Sequence, residues 1–296
     1  MTKKRIYVAG AGGMLGEAFY KLFKDEFDCV FSDKDLNSDW LSFIDFRDAN
    51  LYEENVILFK PDILVHLGAY TSLEYCDLNE LDALNNNVVS VETAVKIANT
   101  LNIPLLFIST AGIFDGQKEE YDDWDAPAPL GVYARTKVIA EDYIQKNSTK
   151  YYIMRAGWMM GGGPGKDKKF VGKIIGQLRS GVRELHIVND KDGTPTYTHD
   201  FARVAYELLS TDRFGVYNCV CEGLTSRLEV AREIVKILGL SSEVVIHEVS
   251  SDYFANEYFS LRPPSERLIN KKLKIIGLNK MRDWKIALNE YINEYF

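Results

Sequence analysis

Tyr133 and Lys137 stand four positions apart in "YARTK", so a helix over this stretch puts the phenol and the ammonium on one face. A phenol of ordinary pKa, about 10, exchanges protons poorly near neutrality. A neighbouring ammonium stabilises the phenolate and lowers that pKa. The pair then serves as general acid towards a ketone or general base towards an alcohol. Alone, Tyr-x-x-x-Lys arises by chance on many helices. Here it follows the apolar run "PLLFIST" (104–110), which ends in Ser109 and Thr110. A hydroxyl at that place would hydrogen-bond a carbonyl oxygen whose carbon receives hydride.

A second constellation opens the chain. In "VAGAGGMLG" (8–16) the common G-x-G-x-x-G fingerprint fails, because position 15 is Leu15. The spacing G-x-x-G-x-x-G fits Gly10, Gly13 and Gly16, with Gly12 as an extra. Glycines let the backbone approach a pyrophosphate, and the N–H groups of a following helix face its charge. An acid is wanted about 20 residues on, at the end of the second strand, and Asp33 in "CVFSD" supplies it. Its carboxylate would accept the ribose hydroxyls and repel a 2′-phosphate, which favours NAD(H). Lys34 beside it would meet that phosphate, so the expected cofactor is NADH or NADPH.

The scaffold for these groups is legible as alternation. "RIYVAG" (5–10), "CVFSD" (29–33), "DILVHLGA" (62–69), "PLLFIST" and "YYIMRAG" (151–157) are nearly continuous apolar runs. Between them, Leu15, Phe19, Leu22 and Phe23 recur at helical spacing, and Leu81 to Leu101 predicts one long single-faced helix. "YARTKVIAEDYIQ" (133–145) predicts another. Buried strands alternating with amphipathic helices indicate an α/β fold, a doubly wound parallel sheet of Rossmann type. The second half is less regular. Helices are expected over 170–181, 199–210, 226–239 (with Ser226 as cap) and the C-terminal "RDWKIALNEYINEYF", and strands over 184–190 and 215–220. "GGGPGKDKK" (161–169) reads as a flexible loop.

Composition bounds the function. The chain has 296 residues, is 46% hydrophobic and 26% charged, and carries a net charge of −8. A large core is expected and a nucleic-acid binder is not. No apolar run nears the ~20 residues of a membrane helix, and the basic start "MTKKRIYVAG" has too short an apolar part for a signal peptide. Cys29, Cys76, Cys219 and Cys221 have no zinc spacing and are expected as reduced, buried thiols, with a cytoplasmic location. No metal is expected: "EEYDDWD" (119–125) is acidic but irregular, and is expected as a solvated loop. His66 reads as a packed core group and His199 as a polar residue at a helix start. "KDKK" reads equally as a charged tip or a phosphate clamp. "EYINEYF" is expected in packing or a subunit contact, with a homodimer as the associated possibility.

Six further stretches carry a resemblance. "PDILVHLGAYT" (61–71), "STAGIFDG" (109–116), "PAPLGVYARTK" (127–137), "MRAGWMMGG" (154–162), "GTPTYTHDFA" (193–202) and "RPPSERLI" (262–269) resemble in turn "PDxVINxAAYT", "STDYVFDG", "P…P…YGxSK", "LRTSWVYG", "GxPTYxxDLA" and "RPxxSxLD". These belong to the dTDP-4-dehydrorhamnose reductase family, within the extended short-chain dehydrogenase/reductase superfamily, whose loop is G-x-x-G-x-x-G. The likeness runs from about residue 4 to the end, and "GTPTYTHDFA" discriminates best.

The resemblance implies reduction of the C4 ketone of dTDP-4-dehydro-L-rhamnose to dTDP-L-rhamnose. It implies Thr110, Tyr133 and Lys137 as the catalytic set. It implies a cofactor site of Gly10, Gly13, Met14, Leu15, Gly16, Asp33, Asp45, Phe46, Ala69, Tyr70 and Asn87, with Tyr133 and Lys137. A nucleotide-sugar site would draw on Thr71, Ala111, Trp158, Lys169, Thr196, Tyr197 and Arg262. It further implies a dinucleotide-binding domain at 1–157, with its sheet completed by about 196–220, and a substrate part at 158–195 and 221–296.

Three departures bear on the sugar. Ala111-Gly112 replaces the family's Asp-Tyr, His66 falls within the place of its Ile-Asn pair, and Lys169 replaces an asparagine near the expected pyrophosphate. Another nucleotide sugar, an epimerase, or a non-catalytic binding subunit on the same fold are the alternatives.

Overall fold

The computed structural model describes residues 3–296. The first apolar run is β1 (Arg5–Ala9), which passes through the glycine loop into α1 (Met14–Phe23). β2 (Asp28–Asp33), β3 (Ser42–Phe43), α2 (Ala49–Phe59) and β4 (Ile63–His66) follow. After β4 come α3 (Leu73–Leu78), α4 (Glu80–Leu84), a π-helical turn at Asn85–Val89, and α5 (Ser90–Leu101). β5 (Leu105–Thr110), α6 (Val132–Asn147) and β6 (Tyr151–Ala156) complete this half. Next are β7 (Trp158–Met160), α7 (Gly163–Lys166), α8 (Phe170–Arg179), β8 (Glu184–Val188), β9 (Asp192–Gly193) and β10 (Pro195–Tyr197). Then follow α9 (Thr198–Leu209), β11 (Gly215–Asn218), β12 (Thr225–Ser226), α10 (Arg227–Ile237) and β13 (Val245–Val249). β14 (Ser265–Glu266), α11 (Lys271–Ile275) and α12 (Trp284–Tyr295) close the chain.

Seven strands form one parallel sheet in the order β11-β6-β5-β4-β1-β2-β3. The alternation of β1 feeds both faces. Ile6 and Val8 join Phe19, Phe23 and Phe201 under α1 and α9, while Tyr7 and Ala9 join Tyr52, Val91, Val95 and Ile144 under α2, α5 and α6. The strand order reverses between β1 and β4, where open α/β sheets leave a crevice at the carboxyl ends. The short strands of the second half form separate small sheets: β10 with β7, β12-β9-β14, and β13 with β8. Among the described residues, no helix is long and apolar enough to cross a membrane.

Several expectations need correction. The single helix expected from Leu81 to Leu101 is interrupted by the π-turn at Asn85–Val89. That turn carries three successive asparagines, and the amide of Asn87 finds its partners across the loop after β4. Such π-turns often mark functional sites. The third strand ends at His66 rather than at position 69, because Gly68 must lie against Gly10: a Cβ on Gly10 would come within 2.3 Å of Gly68 N. The acidic stretch 119–125 is not simply solvated. Asp123 is buried and accepts from the backbone N–H groups of Asn218 (2.7 Å) and Lys272 (2.8 Å), and Tyr121 pairs with Leu268. α2 is missing from the sequence reading altogether. Asp48 caps it, accepting from Asn50 N and Leu51 N, but only Tyr52 and Val56 are buried while Leu58 is exposed, so its apolar residues blur the periodicity.

Candidate active site

The glycine loop sits at the reversal of the sheet. Gly10 has φ +75°, and its N–H donates to Ser32 O at 2.8 Å. A Cβ on Gly16 would lie 2.0 Å from Ala11 O, so only glycine lets α1 start this close to β1. Gly13 is the N-cap of α1 and offers no side-chain cap, and a Cβ there would meet nothing within 4 Å. Uncapped helix N–H groups facing open space fit an anion such as a pyrophosphate. Met14 begins the helix at this opening. The Leu15 side chain points into the core, so Leu15 offers the cleft its backbone alone.

Around this loop the acids are already engaged. Asp33 accepts from Gly12 N (2.8 Å) and from Asp35 N (3.0 Å). Asp45 is forked onto Arg47 (2.6 Å), which holds its carboxyl below the usual range and in turn donates to Tyr70 OH (3.0 Å). Phe46 packs on Gly68, where a Cβ would come within 2.2 Å of its ring. Lys166 reaches over from α7 and donates to Gly12 O (3.1 Å) and Asn37 Oδ1 (3.1 Å). The "KDKK" stretch is therefore no free tip at Lys166.

Asn87 joins this cleft to α6. Its Oδ1 accepts from Tyr70 N (2.7 Å), and its Nδ2 donates to Tyr70 O (3.1 Å) and to Thr136 Oγ1 (3.1 Å). Ala69 lies beside this clasp, half-buried. Thr136 Oγ1 donates to Tyr133 O (2.7 Å), so the register of α6 is tied to the loop after β4.

On α6 the phenol and ammonium do share one side, but their protonation differs from expectation. Burial pushes the Tyr133 phenol up, with Thr110 opposing through a hydrogen bond and the Glu266 carboxylate adding to the rise. Lys137 is almost fully buried. Its Nζ lies 3.9 Å from the centre of the Phe107 ring, and burial draws its pKa down to about 7, with Glu141 opposing. The expected lowering of the phenol by Lys137 is thus absent: desolvation raises the phenol and weakens the charge on Lys137. One turn further along α6, Glu141 binds Arg155 with both oxygens (3.0 and 2.7 Å) in a fully buried pair. His66 is a core group: it meets Tyr52 OH (3.1 Å) and Ser90 Oγ (3.3 Å), and burial draws its pKa down to about 3.

The opposite wall comes from the second half. The Trp158 indole donates to Glu266 Oε2 at 2.6 Å, and the Arg227 guanidinium lies 3.7 Å from the centre of its ring system. Lys169 Nζ donates to Thr71 O (3.1 Å) and Thr71 Oγ1 (3.0 Å). Burial draws the Lys169 ammonium down against the pull of Asp167, and repulsion from Lys173, Arg227 and Arg262 adds to that fall. Arg262 is paired with Glu74 at 2.7 Å. Four cations thus feel one another across this rim, an arrangement suited to a diphosphate. Arg227, Lys173 and Glu266 are absent from the sequence reading. Arg227 and Lys173 lie on unremarkable helical stretches. Glu266 lies within "RPPSERLI", a stretch singled out there only for Arg262.

Three expected substrate residues sit elsewhere. Ala111 is buried with Ile113, Phe114 and Leu268, so Gly112 rather than Ala111 borders the cleft. Thr196 is fully buried and its Oγ1 accepts from Gly157 N (2.8 Å). Tyr197 is fully buried under α12 and donates to Glu294 Oε2 (3.1 Å). The "GTPTY" stretch supports the Trp158 wall instead: a Cβ on Gly193 would strike the indole at 2.4 Å. His199 lies in the first turn of α9, 3.0 Å from Tyr295 OH, and the aromatic C-terminus packs on α1 and α9. Among the described residues no cluster could hold a metal ion, and all four cysteines are unpaired, with Cys29 half-buried rather than buried.

A doubly wound parallel sheet, a glycine loop at its reversal, and Thr110, Tyr133 and Lys137 at the adjacent strand end and helix define the extended short-chain dehydrogenase/reductase class. Within that class, the profile of the RmlD substrate-binding domain matches residues 4–296, and the chain belongs to this family. The spore coat polysaccharide biosynthesis protein SpsK of Bacillus subtilis is 29% identical over 99% of this chain and 98% of that protein. A dTDP-4-dehydrorhamnose reductase of Mycobacterium tuberculosis is 28% identical over 96% of this chain and 91% of that protein. The crystal structure of dTDP-4-dehydrorhamnose reductase from Bacillus anthracis in complex with NADP superposes with a TM-score of 0.90 at 26% identity, covering 99% of this chain and all of that one.

Proposed function

We propose that this chain is an NAD(P)H-dependent reductase of a nucleotide-linked 4-keto-6-deoxy sugar, with dTDP-4-dehydro-L-rhamnose as substrate and dTDP-L-rhamnose as product. The observation that carries this reading is the Tyr133 phenol beside Thr110 at the end of β5, with the Trp158–Glu266 wall flanking the same space and Lys169, Lys173, Arg227 and Arg262 gathered on the rim. The named relatives and the NADP complex support it.

The glycine loop, with the uncapped start of α1, would hold a reduced nicotinamide cofactor, which would supply hydride to the carbonyl carbon. Tyr133 donates its phenolic proton to the carbonyl oxygen, so ketone, hydride and proton give the secondary alcohol. Thr110 orients that oxygen by hydrogen bonding. Lys137 gains an anionic neighbour as the phenolate forms, which favours its ammonium form. Lys169, Lys173, Arg227 and Arg262 hold the diphosphate, and Trp158 covers the sugar. Holding two ligands in line supplies much of the rate.

The test follows loss of reduced-nicotinamide absorbance with dTDP-4-dehydro-L-rhamnose generated in the same tube. The native chain oxidises the cofactor. Tyr133→Phe lowers kcat by roughly a hundred- to ten-thousandfold while nicotinamide binding stays unchanged. Oxidation only with a different 4-keto sugar nucleotide would move the substrate within the class. Nicotinamide binding without turnover on any such sugar would overturn the enzyme reading in favour of a binding subunit.

A further inference from the structure

Glu266 sits in the cleft for a reason that the support of Trp158 does not exhaust. Its Oε2 takes the indole N–H at 2.6 Å, and a neutral acceptor would do that equally well. Its Oε1 points the other way. A Cβ built at position 112 would lie 3.2 Å from Glu266 Oε1 and 3.5 Å from Thr110 Oγ1, so the carboxylate and the catalytic hydroxyl flank the same small space. That space is open because residue 112 is glycine, where the resembling family carries a tyrosine. β14 fixes the backbone of Glu266 by pairing it with Gly193, and Arg267 adds an ion pair to Asp192 at 3.2 Å. The carboxylate is therefore held in place and does not swing freely.

Resting on the reductase reading, we propose that Glu266 is a specificity-determining residue whose free carboxylate oxygen accepts a hydrogen bond from a hydroxyl on the sugar carbon next to the reacting ketone. An ionised carboxylate is acceptor-only, so it favours a ring presenting a donor there over one lacking it. A sugar whose carbonyl reaches Thr110 brings its neighbouring substituent to the space shared with Glu266. Charge assistance makes this a strong contact in a half-enclosed site. The field of the same carboxylate also helps to keep the Tyr133 phenol protonated.

Glu266→Gln isolates the effect. The introduced amide must turn its oxygen to the Trp158 N–H, which keeps the indole in place and presents an NH2 donor to the sugar. dTDP-L-rhamnose and dTDP are each titrated into wild-type and E266Q protein carrying NADP+. The expected result is a roughly ten- to hundredfold loss of affinity for dTDP-L-rhamnose in E266Q with dTDP binding unchanged. Equal losses for both ligands, or no loss for either, overturn the proposal. A second readout uses turnover: E266Q moves the alkaline limb of the Tyr133-dependent rate to lower pH, because the charge that raises the phenol is gone. An unmoved limb would count against the proposal. The two readings fail separately. The binding difference without any Tyr133-dependent turnover would sink the reductase and leave Glu266 as a sugar contact. Turnover without the binding difference would sink only the role of Glu266.

Discussion

Two positively charged regions face the same cleft and are built in opposite ways. On the floor, Lys137 is buried, and desolvation alone weakens its charge to a pKa of about 7. On the rim, Lys169, Lys173, Arg227 and Arg262 repel one another, although Arg262 has Glu74 and Arg227 feels the field of Glu266. The floor shows how burial controls a protonation state against the opposing pull of Glu141, which is itself engaged with Arg155. The rim shows how several cations brought together raise one another's cost, a cost that a charged ligand would relieve. A third cation gives the control. Arg155 on β6, as buried as Lys137, is held by Glu141 through Nε and Nη2 and belongs to the core.

Breaking the control is expected to have the largest effect on stability. Glu141→Ala leaves Arg155 buried without its partner and should cost about 3–5 kcal/mol in denaturant unfolding. It also removes the acid that raises the pKa of Lys137. A loss under about 1 kcal/mol would mean that water reaches Arg155.

Lys137 sharpens the comparison through pH. Its folded pKa, about 7, lies below its unfolded value of about 10.4, so the unfolded chain binds more protons between these values. Stability therefore carries a penalty that is full below pH 7 and fades as pH rises towards 10.4. Lys137→Met should raise the melting temperature at pH 6, measured without nucleotide, and the gain should shrink by pH 10. A gain independent of pH would mean that the pKa of Lys137 does not change on folding.

The rim should respond in KM rather than in stability. Arg227→Ala removes a cation stacked on Trp158 and should raise KM for the sugar nucleotide on the order of tenfold, with kcat little changed. Lys173→Ala, at a more exposed position that also donates to Tyr258 OH, should raise KM only a few fold, an effect that added salt erases. If salt leaves KM for the native chain unchanged, the rim does not act by charge.

How far the sequence reads on its own depends on how local the cause is. The glycine loop, the end of β2 at Asp33, and the phenol–ammonium spacing on α6 are set by neighbours within a few residues. The strands of the first half are legible for the same reason, since burial on both faces writes itself as an apolar run. The break at Asn85–Val89 is not legible, because the apolar spacing of Leu81 to Leu101 continues through it and the cause is Tyr70, distant in the chain. Thr196 and Tyr197 read as site residues because their motif is distinctive, yet their hydroxyls serve Gly157 and Glu294. Arg227 and Lys173 carry no local mark at all.

The sequence by itself determined the doubly wound sheet, the place of the loop and the spacing that puts Tyr133 and Lys137 on one side of α6, since periodicity and short spacings act through adjacent turns. Tertiary structure alone decided how that pair is protonated and which side chains make the other wall. Desolvation of Tyr133 and Lys137, the meeting of Glu266 with Trp158, and the gathering of four cations all require segments far apart in the chain to be packed within a few ångströms.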